Sequence, residues 1–261
     1  MAAVLNVKLD HPALAPRGQA ASLLVGTSGW TIPARHAYDM PFEGTHLERY
    51  AQRFPAVEIT SSFYRSHSPE AYALWARSVP PSFRFAVKLP RAISHEAGLR
   101  GCEALVRRFA GEVAGLGENF GALLIQLPPS LEHDAKIVED FFVALPRYIK
   151  APVVCEPRHP SWFTPEAEAR LRALQVARAA ADPAPAEGAS EPGGWSGLVY
   201  YRLHGSPRKY YSDYDAAALS ALQAKLKVGV ARGVPTWCIF DNTAAYAAMG
   251  NALTILDAGR S

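Results

Sequence analysis

Short apolar runs recur along the chain, separated by longer helix-like segments. The runs are Leu23–Gly26, Ala56–Ile59, Phe83–Leu89, Gly121–Leu127, Pro152–Glu156, Val176–Ala181, Leu198–His204 and Thr236–Phe240. Each is too short for a typical helix, and several are rich in valine or aromatic residues, which favours strands. The segments between them carry helix-start chemistry. Thr45 with Glu48 fits a capping box, in which each side chain satisfies a backbone N–H left free by the first turn. Ser68-Pro69-Glu70 and Thr164-Pro165-Glu166 set a hydroxyl cap before a proline at the first helical position, where its missing N–H costs nothing. Residues 101–116, 134–145, 213–232 and 243–252 complete the helical set.

Strands alternating with helices call for a parallel sheet with helices outside. The 261 residues match the roughly 250 typical of one TIM-type barrel. The predicted fold class is therefore α/β: a single TIM-type (β/α) barrel domain of eight parallel strands over residues 23–261. A loose leader rich in Ala and Pro, not a signal peptide, is expected over residues 1–22. Pro183–Gly197, built from Pro, Ala, Gly, Ser and Glu, is a poor helix, so the barrel is expected to lack a regular helix between strands six and seven. The competing architecture is an open doubly wound sheet.

Alternation along each strand then sorts side chains between the interior and the helical layer, and barrel sites form at the C-terminal rim. Val57 and Ile59 are expected outside, leaving Glu58 inside. By the same parity Lys88, Gln126, Glu156 and Asp182 end their strands on the inner face, as do Tyr200, Arg202 and His204 on the seventh. Asp241-Asn242 follows the eighth strand with no assigned parity. Unpaired polar groups buried in strands cost ~2–7 kcal/mol each, so this cluster needs a reason. A mutually satisfied salt-bridge layer closing the core is the plainer reason, and a ligand site is the sharper one.

The loops extend the candidate list. Gly26-Thr27-Ser28-Gly29-Trp30 offers backbone donors, Ser28 and the Trp30 ring, although it matches neither phosphate-loop fingerprint and a tight turn explains it equally well. Glu-Pro-Arg-His-Pro-Ser-Trp after the fifth strand supplies Arg158, His159 and Trp162, and the Arg158 fork suits a carboxylate or phosphate. Tyr64, Phe63, Tyr210, Tyr211 and Tyr214 make the rim loops aromatic, either to stack on a ligand or to cap the core.

Composition narrows the function classes without selecting one. The net charge is only +3, no block of like charge stands out, and nucleic-acid binding gains no support from charge. Cys102, Cys155 and Cys238 form no CxxC pair, which predicts reduced, buried thiols in a cytoplasmic protein. No run has the length of a membrane span.

Six stretches together resemble the YecE-like family, also called domain of unknown function 72. They are Gly26–Trp30, Glu58–Tyr64, Phe83–Lys88, Gln126–Pro129, Glu156–Trp162 and Arg202–Gly205, in family order. The resemblance implies a TIM-barrel fold and no established activity. It also marks departures at Thr60, Pro157 and Asp241-Asn242, where the family usually has Asn, an aromatic residue and paired Asn.

Three functions compete on these residues. The preferred one is a metal-independent acid/base enzyme of hydrolase-like or lyase-like chemistry, needing no cofactor, on a small phosphate- or sugar-containing anion. Glu58, Lys88, Glu156, Asp182 and His204 form its catalytic set, and Ser28, Trp30, Tyr64, Gln126, Arg158, Trp162, Arg202 and Asn242 bind substrate. The second is a metal-dependent hydrolase or isomerase with Glu58, Glu156, Asp182, His204 and Asp241 as ligands. The third is a nucleotide or single-stranded nucleic-acid binding module that stacks bases on the loop aromatics.

Overall fold

The computed structural model describes residues 22–259, so the expected leader lies almost wholly outside the described residues. Its first five strands are β1 (Leu23–Thr27), β2 (Ala56–Ile59), β3 (Arg84–Lys88), β4 (Phe120–Gln126) and β5 (Val153–Glu156). The expected sixth strand is interrupted at Ala179, giving β6 (Val176–Arg178) and β7 (Ala180–Asp182). The short β8 (Gly193–Gly194), β9 (Val199–Leu203) and β10 (Thr236–Phe240) follow. The helices are α1 (His46–Ala51), α2 (Pro69–Arg77), α3 (Glu103–Val113), α4 (Ala135–Ala144), α5 (Pro165–Ala173), α6 (Ala216–Ala231) and α7 (Ala247–Ala258). Thr45 and Glu48 make the reciprocal capping box, and Ser68 and Thr164 each accept the backbone N–H three residues on, ahead of Pro69 and Pro165. No α-helix joins β7 to β9, as expected from Pro183–Gly197.

Strand pairing gives two sheets, β1-β10-β9-β7 and β2-β3-β4-β5-β6-β8, parallel throughout except where β8 runs antiparallel on β6. The sheets meet at two seams. At one, Ser28 bridges Glu58 and the Gly29 N–H donates to the Glu58 carbonyl at 2.8 Å. Gly26 permits this approach, because a Cβ there would stand 2.1 Å from the Ala56 carbonyl oxygen. At the other, β6 pairs with β5, the Ala179 N–H donates to the Cys155 carbonyl, and β7 then registers on β9. The architecture is α/β and TIM-barrel-like, with parallel strands and helices packed outside.

Two apolar layers follow the predicted alternation. Val57, Ile59, Phe85, Val87, Tyr201 and Leu203 pack outward against the helices. Ala56, Ala86, Ala122, Ala177 and Ala179 face inward, and their small size makes room for Tyr200 and Trp237, whose rings stack at 5.7 Å. All three cysteines are buried and free, and among the described residues no helix is long and apolar enough to cross a membrane.

One parity expectation is corrected here. Ala180 belongs to the outer layer and Asp182 lies opposite Leu203, which faces outward, so Asp182 points away from the strand-end cluster. The run around it is mostly alanine, which carries no inside or outside signal. Arg178, held by Glu168 on α5, was the usable marker, because Asp182 sits an even number of residues from it.

Candidate functional site

Glu58, Gln126, Glu156 and Arg202 converge from the C-terminal parts of β2, β4, β5 and β9, with His204 and Asp241 just beyond β9 and β10. Their centre is Arg202, only 1% exposed. Its Nε and Nη2 donate to the Glu58 carboxylate at 3.0 and 2.6 Å, its Nη1 to Glu156 Oε2 at 3.0 Å, and its Nη2 stands 3.0 Å from Asp241 Oδ2. Tyr200 donates its hydroxyl to Glu58 at 2.8 Å. Only a planar guanidinium fork reaches carboxylates on three strands at once.

His204, itself fully buried, extends this network to Asp241 and Arg158. Its Nδ1 lies 2.9 Å from Asp241 Oδ2 and its Nε2 2.9 Å from Glu156 Oε1, with Arg158 Nη2 also 2.9 Å from Nε2. Arg158 pairs with Glu156 at 2.5 Å, while its Nε is buried without a partner. The imidazole thus links two carboxylates, and a proton on Nε2 has Glu156 as its immediate acceptor.

Burial alone pushes the Asp241 carboxyl up, but Arg202 and then His204 overcome it and bring it down to about 2. Glu156 is likewise disfavoured as an anion by burial, yet Arg202, Arg158 and His204 together hold it well below the usual carboxylate range. Lys88 behaves oppositely. Burial, then repulsion from Arg202, outweighs the attraction of Glu58, Glu156 and Asp241 and lowers its ammonium to about 8. Its Nζ donates to Gln126 Oε1 at 2.8 Å and lies 4.1 Å over the Phe63 ring.

This inversion has a stability consequence. Near neutral pH the folded state holds Lys88 as a cation it disfavours, and the penalty is relieved as pH climbs from about 8 toward lysine's ordinary 10.5. Lys88→Met is therefore expected to stabilise the fold at pH 7 by about 1–3 kcal/mol. Urea unfolding at pH 7 and above pH 9 checks this: the gain shrinks at the higher pH, and destabilisation at pH 7 contradicts it.

Other predicted residues fall into place differently. Ser28 is at the rim, its Oγ 3.2 Å from Thr60 Oγ1. Tyr64 stands exposed beside Phe63. Asp182 accepts from the Tyr214 hydroxyl at 2.6 Å, and that hydroxyl in turn accepts the Gly205 N–H, so Asp182 fastens the loop after β9. Trp30 packs edge-on against Trp75 of α2. Trp162 is buried, its indole N–H donating to the Leu131 carbonyl. Asn242 donates to the Ser212 carbonyl and to Asn251 of α7, bracing loop to helix. Arg202 is spent on carboxylates rather than turned to solvent.

Further cationic groups gather around the cluster. His95 contacts Phe63 edge-on at 4.9 Å, and its imidazolium is disfavoured by burial and then by Lys88, Arg91 and Arg158. Lys209 is lowered by burial and then by Arg158, and Tyr210 lies edge-on to the His204 ring at 5.7 Å. His95 and Lys209 were not evident as sequence candidates, because His95 lies on the short π-helical turn Ala92–Glu96 and Lys209 in a loop, neither with a strand alternation to fix its direction. Asp241 had a visible signal, an acid directly after a strand, but no parity.

The metal-ligand alternative meets a specific obstacle. The oxygens of Glu58, Glu156 and Asp241 converge on the Arg202 guanidinium, which takes the central place a cation would need. Among the described residues no group of three His, Cys, Asp or Glu side chains has a metal-holding arrangement.

Comparison with known proteins agrees with this fold. The chain is 34% identical over 120 residues to UPF0759 protein YecE of Escherichia coli (strain K12), a match covering 46% of this chain and 43% of that protein. It superposes on the crystal structure of a DUF72 family protein from Enterococcus faecalis V583 with TM-score 0.75 and 21% identity, covering 90% of this chain and 96% of the other. A sugar phosphate isomerase/epimerase from Parabacteroides distasonis ATCC 8503 shares the fold more distantly, with TM-score 0.51 and 13% identity over 92% and 94% of the two chains. Residues 24–260 match the family described as "Protein of unknown function DUF72", and with the match running across nearly the whole chain, this protein belongs to that family.

Proposed function

We propose that this protein is a metal-independent acid/base enzyme acting on a small anionic substrate, phosphate- or sugar-containing, at the C-terminal rim. In this reading the two sheets work as one closed eight-stranded barrel whose top is sealed by the Arg202 network. The observation that carries it is the placement of His204 between Glu156 and Asp241, 2.9 Å from each, beneath a mouth lined by Lys88, Arg158 and Lys209. An imidazole held between two carboxylates is equipped to take and return a proton, and such positioned groups contribute roughly 10²–10⁴ in rate. The cations at the mouth supply what an anion needs: Lys88 carries N–H donors beyond its one bond to Gln126, and the Arg158 Nε has no partner.

The likeness to a sugar phosphate isomerase/epimerase supports the architecture only, and the substrate class rests on the cationic mouth. A panel of aldose and ketose phosphates, assayed by calorimetry and by product analysis with and without EDTA, tests the reading. The expected result is binding of a phosphate-bearing compound and turnover that the chelator leaves unchanged. Turnover that appears only after adding a divalent metal, or no binding across the panel, overturns it.

A further inference from the structure

Lys88 has surroundings unlike those of an anchoring lysine. It ends β3, is 8% exposed, and rests its Nζ 4.1 Å over the Phe63 ring. Its one hydrogen-bond partner is the neutral Gln126 amide oxygen, and among the described residues no carboxylate lies within 4.0 Å of it. The nearby Glu58, Glu156 and Asp241 are engaged by Arg202, whose own charge repels the ammonium. The Phe63 face and the Gln126 oxygen both favour the ammonium, but they are outweighed by burial and by the Arg202 guanidinium, with no carboxylate in contact to offset them. A lysine so placed gives up its proton more readily than an anchoring one, which leaves a nucleophilic lone pair.

We infer that Lys88 is the nucleophile that condenses with an aldehyde or ketone carbonyl of an anionic substrate to form an imine. This rests on the rim being the acid/base site proposed above, and it narrows the substrate to carbonyl compounds bearing a phosphate or carboxylate. The Nζ lone pair attacks the carbonyl carbon and the carbonyl π pair moves to oxygen, giving a carbinolamine. The two hydrogens of the neutral amine then leave with that oxygen as water, and a C=N bond remains. Once protonated, the imine draws electrons from the neighbouring C–H bond, giving an enamine as the proton passes to a base of the rim. Return of a proton to carbon restores the iminium, and addition of water releases the carbonyl compound and Lys88. With the Lys88 ammonium lowered to about 8, an appreciable share of the side chain is the free amine at neutral pH, unlike an ordinary surface lysine.

Reductive trapping tests this. The protein is incubated with glycolaldehyde phosphate or pyruvate and sodium cyanoborohydride, whose hydride converts an imine to a stable secondary amine, and the modified residues are located by peptide mass spectrometry. Binding of inorganic phosphate is measured in parallel by calorimetry. The expected result is saturable labelling of Lys88 at least about tenfold faster than of the exposed Lys227, with a rate rising to half its maximum near pH 8. Lys88→Arg, which keeps the charge but forms no imine, loses the label while still melting cooperatively. Labelling of Lys88 no faster than of Lys227, with phosphate still bound, overturns the imine and leaves the anion site standing. Loss of both overturns the two together.

Discussion

Replacing Arg202 with Met is expected to destabilise the protein by about 4 kcal/mol or more, because it strips the counter-charge from buried carboxylates on three strands. For a chain of this size that is a fall of roughly 10 °C in Tm. Glu58 keeps only the Tyr200 hydroxyl, while Glu156 retains Arg158 and His204. Arg202→Lys restores little, since an ammonium is a single point and cannot present the fork that reaches Glu58, Glu156 and Asp241 together. The pH dependence carries a sign that separates this mechanism from simple loss of packing. In the natural protein Asp241 and Glu156 titrate below their unfolded values, so their stabilisation is complete above about pH 4–5 and is lost as pH falls further. In Arg202→Met, burial dominates and the carboxylates bind protons more tightly folded than unfolded. Acidification from pH 7 to 5 therefore stabilises the variant while leaving the natural protein unchanged or weaker. Urea midpoints at the two pH values check this, and parallel slopes contradict it.

The second large effect is chemical. On the proposed function, His204→Asn is expected to lower kcat by about 10²–10⁴, because it removes the one ring that links Glu156 to Asp241. KM should change far less, since the cations at the mouth are untouched. A variant that retains kcat but raises KM identifies His204 as a binding group and sinks its role in proton transfer.

Much of this site was legible in the chain because strand parity is a strong physical constraint. Glu58, Gln126, Glu156, Arg202 and His204 each follow or interrupt an apolar alternation, and one-residue slips would bury charge against the helices. The same rule failed at Asp182, where the alanines of 179–181 before it and Pro183 after it offered no apolar alternation to set a face. The roles of buried residues were less accessible than their positions. Arg202 reads as an anion receptor in sequence, but its fork is consumed by three carboxylates, a fact that depends on distances between separate strand ends. The loop residues were harder still. Trp30 and Trp162 carry the composition of a stacking platform, yet Trp75 and the Leu131 carbonyl claim them for packing. His95 and Lys209 approach the cluster from a single π-helical turn and a loop, both too short for periodicity to describe. At the level of fold, the helix caps at Thr45, Ser68 and Thr164 were correct because they are local chemistry. The split of the sixth strand between two sheets depends on which neighbours the backbone finds, and sequence alternation carries no trace of it.

Soaking crystals with tungstate, an electron-dense stand-in for phosphate, tests the account at its centre. The expected density lies at the rim, within hydrogen-bond distance of Lys88 Nζ and the Arg158 guanidinium, with Arg202 still buried on Glu58 and Glu156. Tungstate bound only in the separate surface cleft beside α3 that Arg65, Arg91 and Arg108 line, with the rim empty, contradicts it.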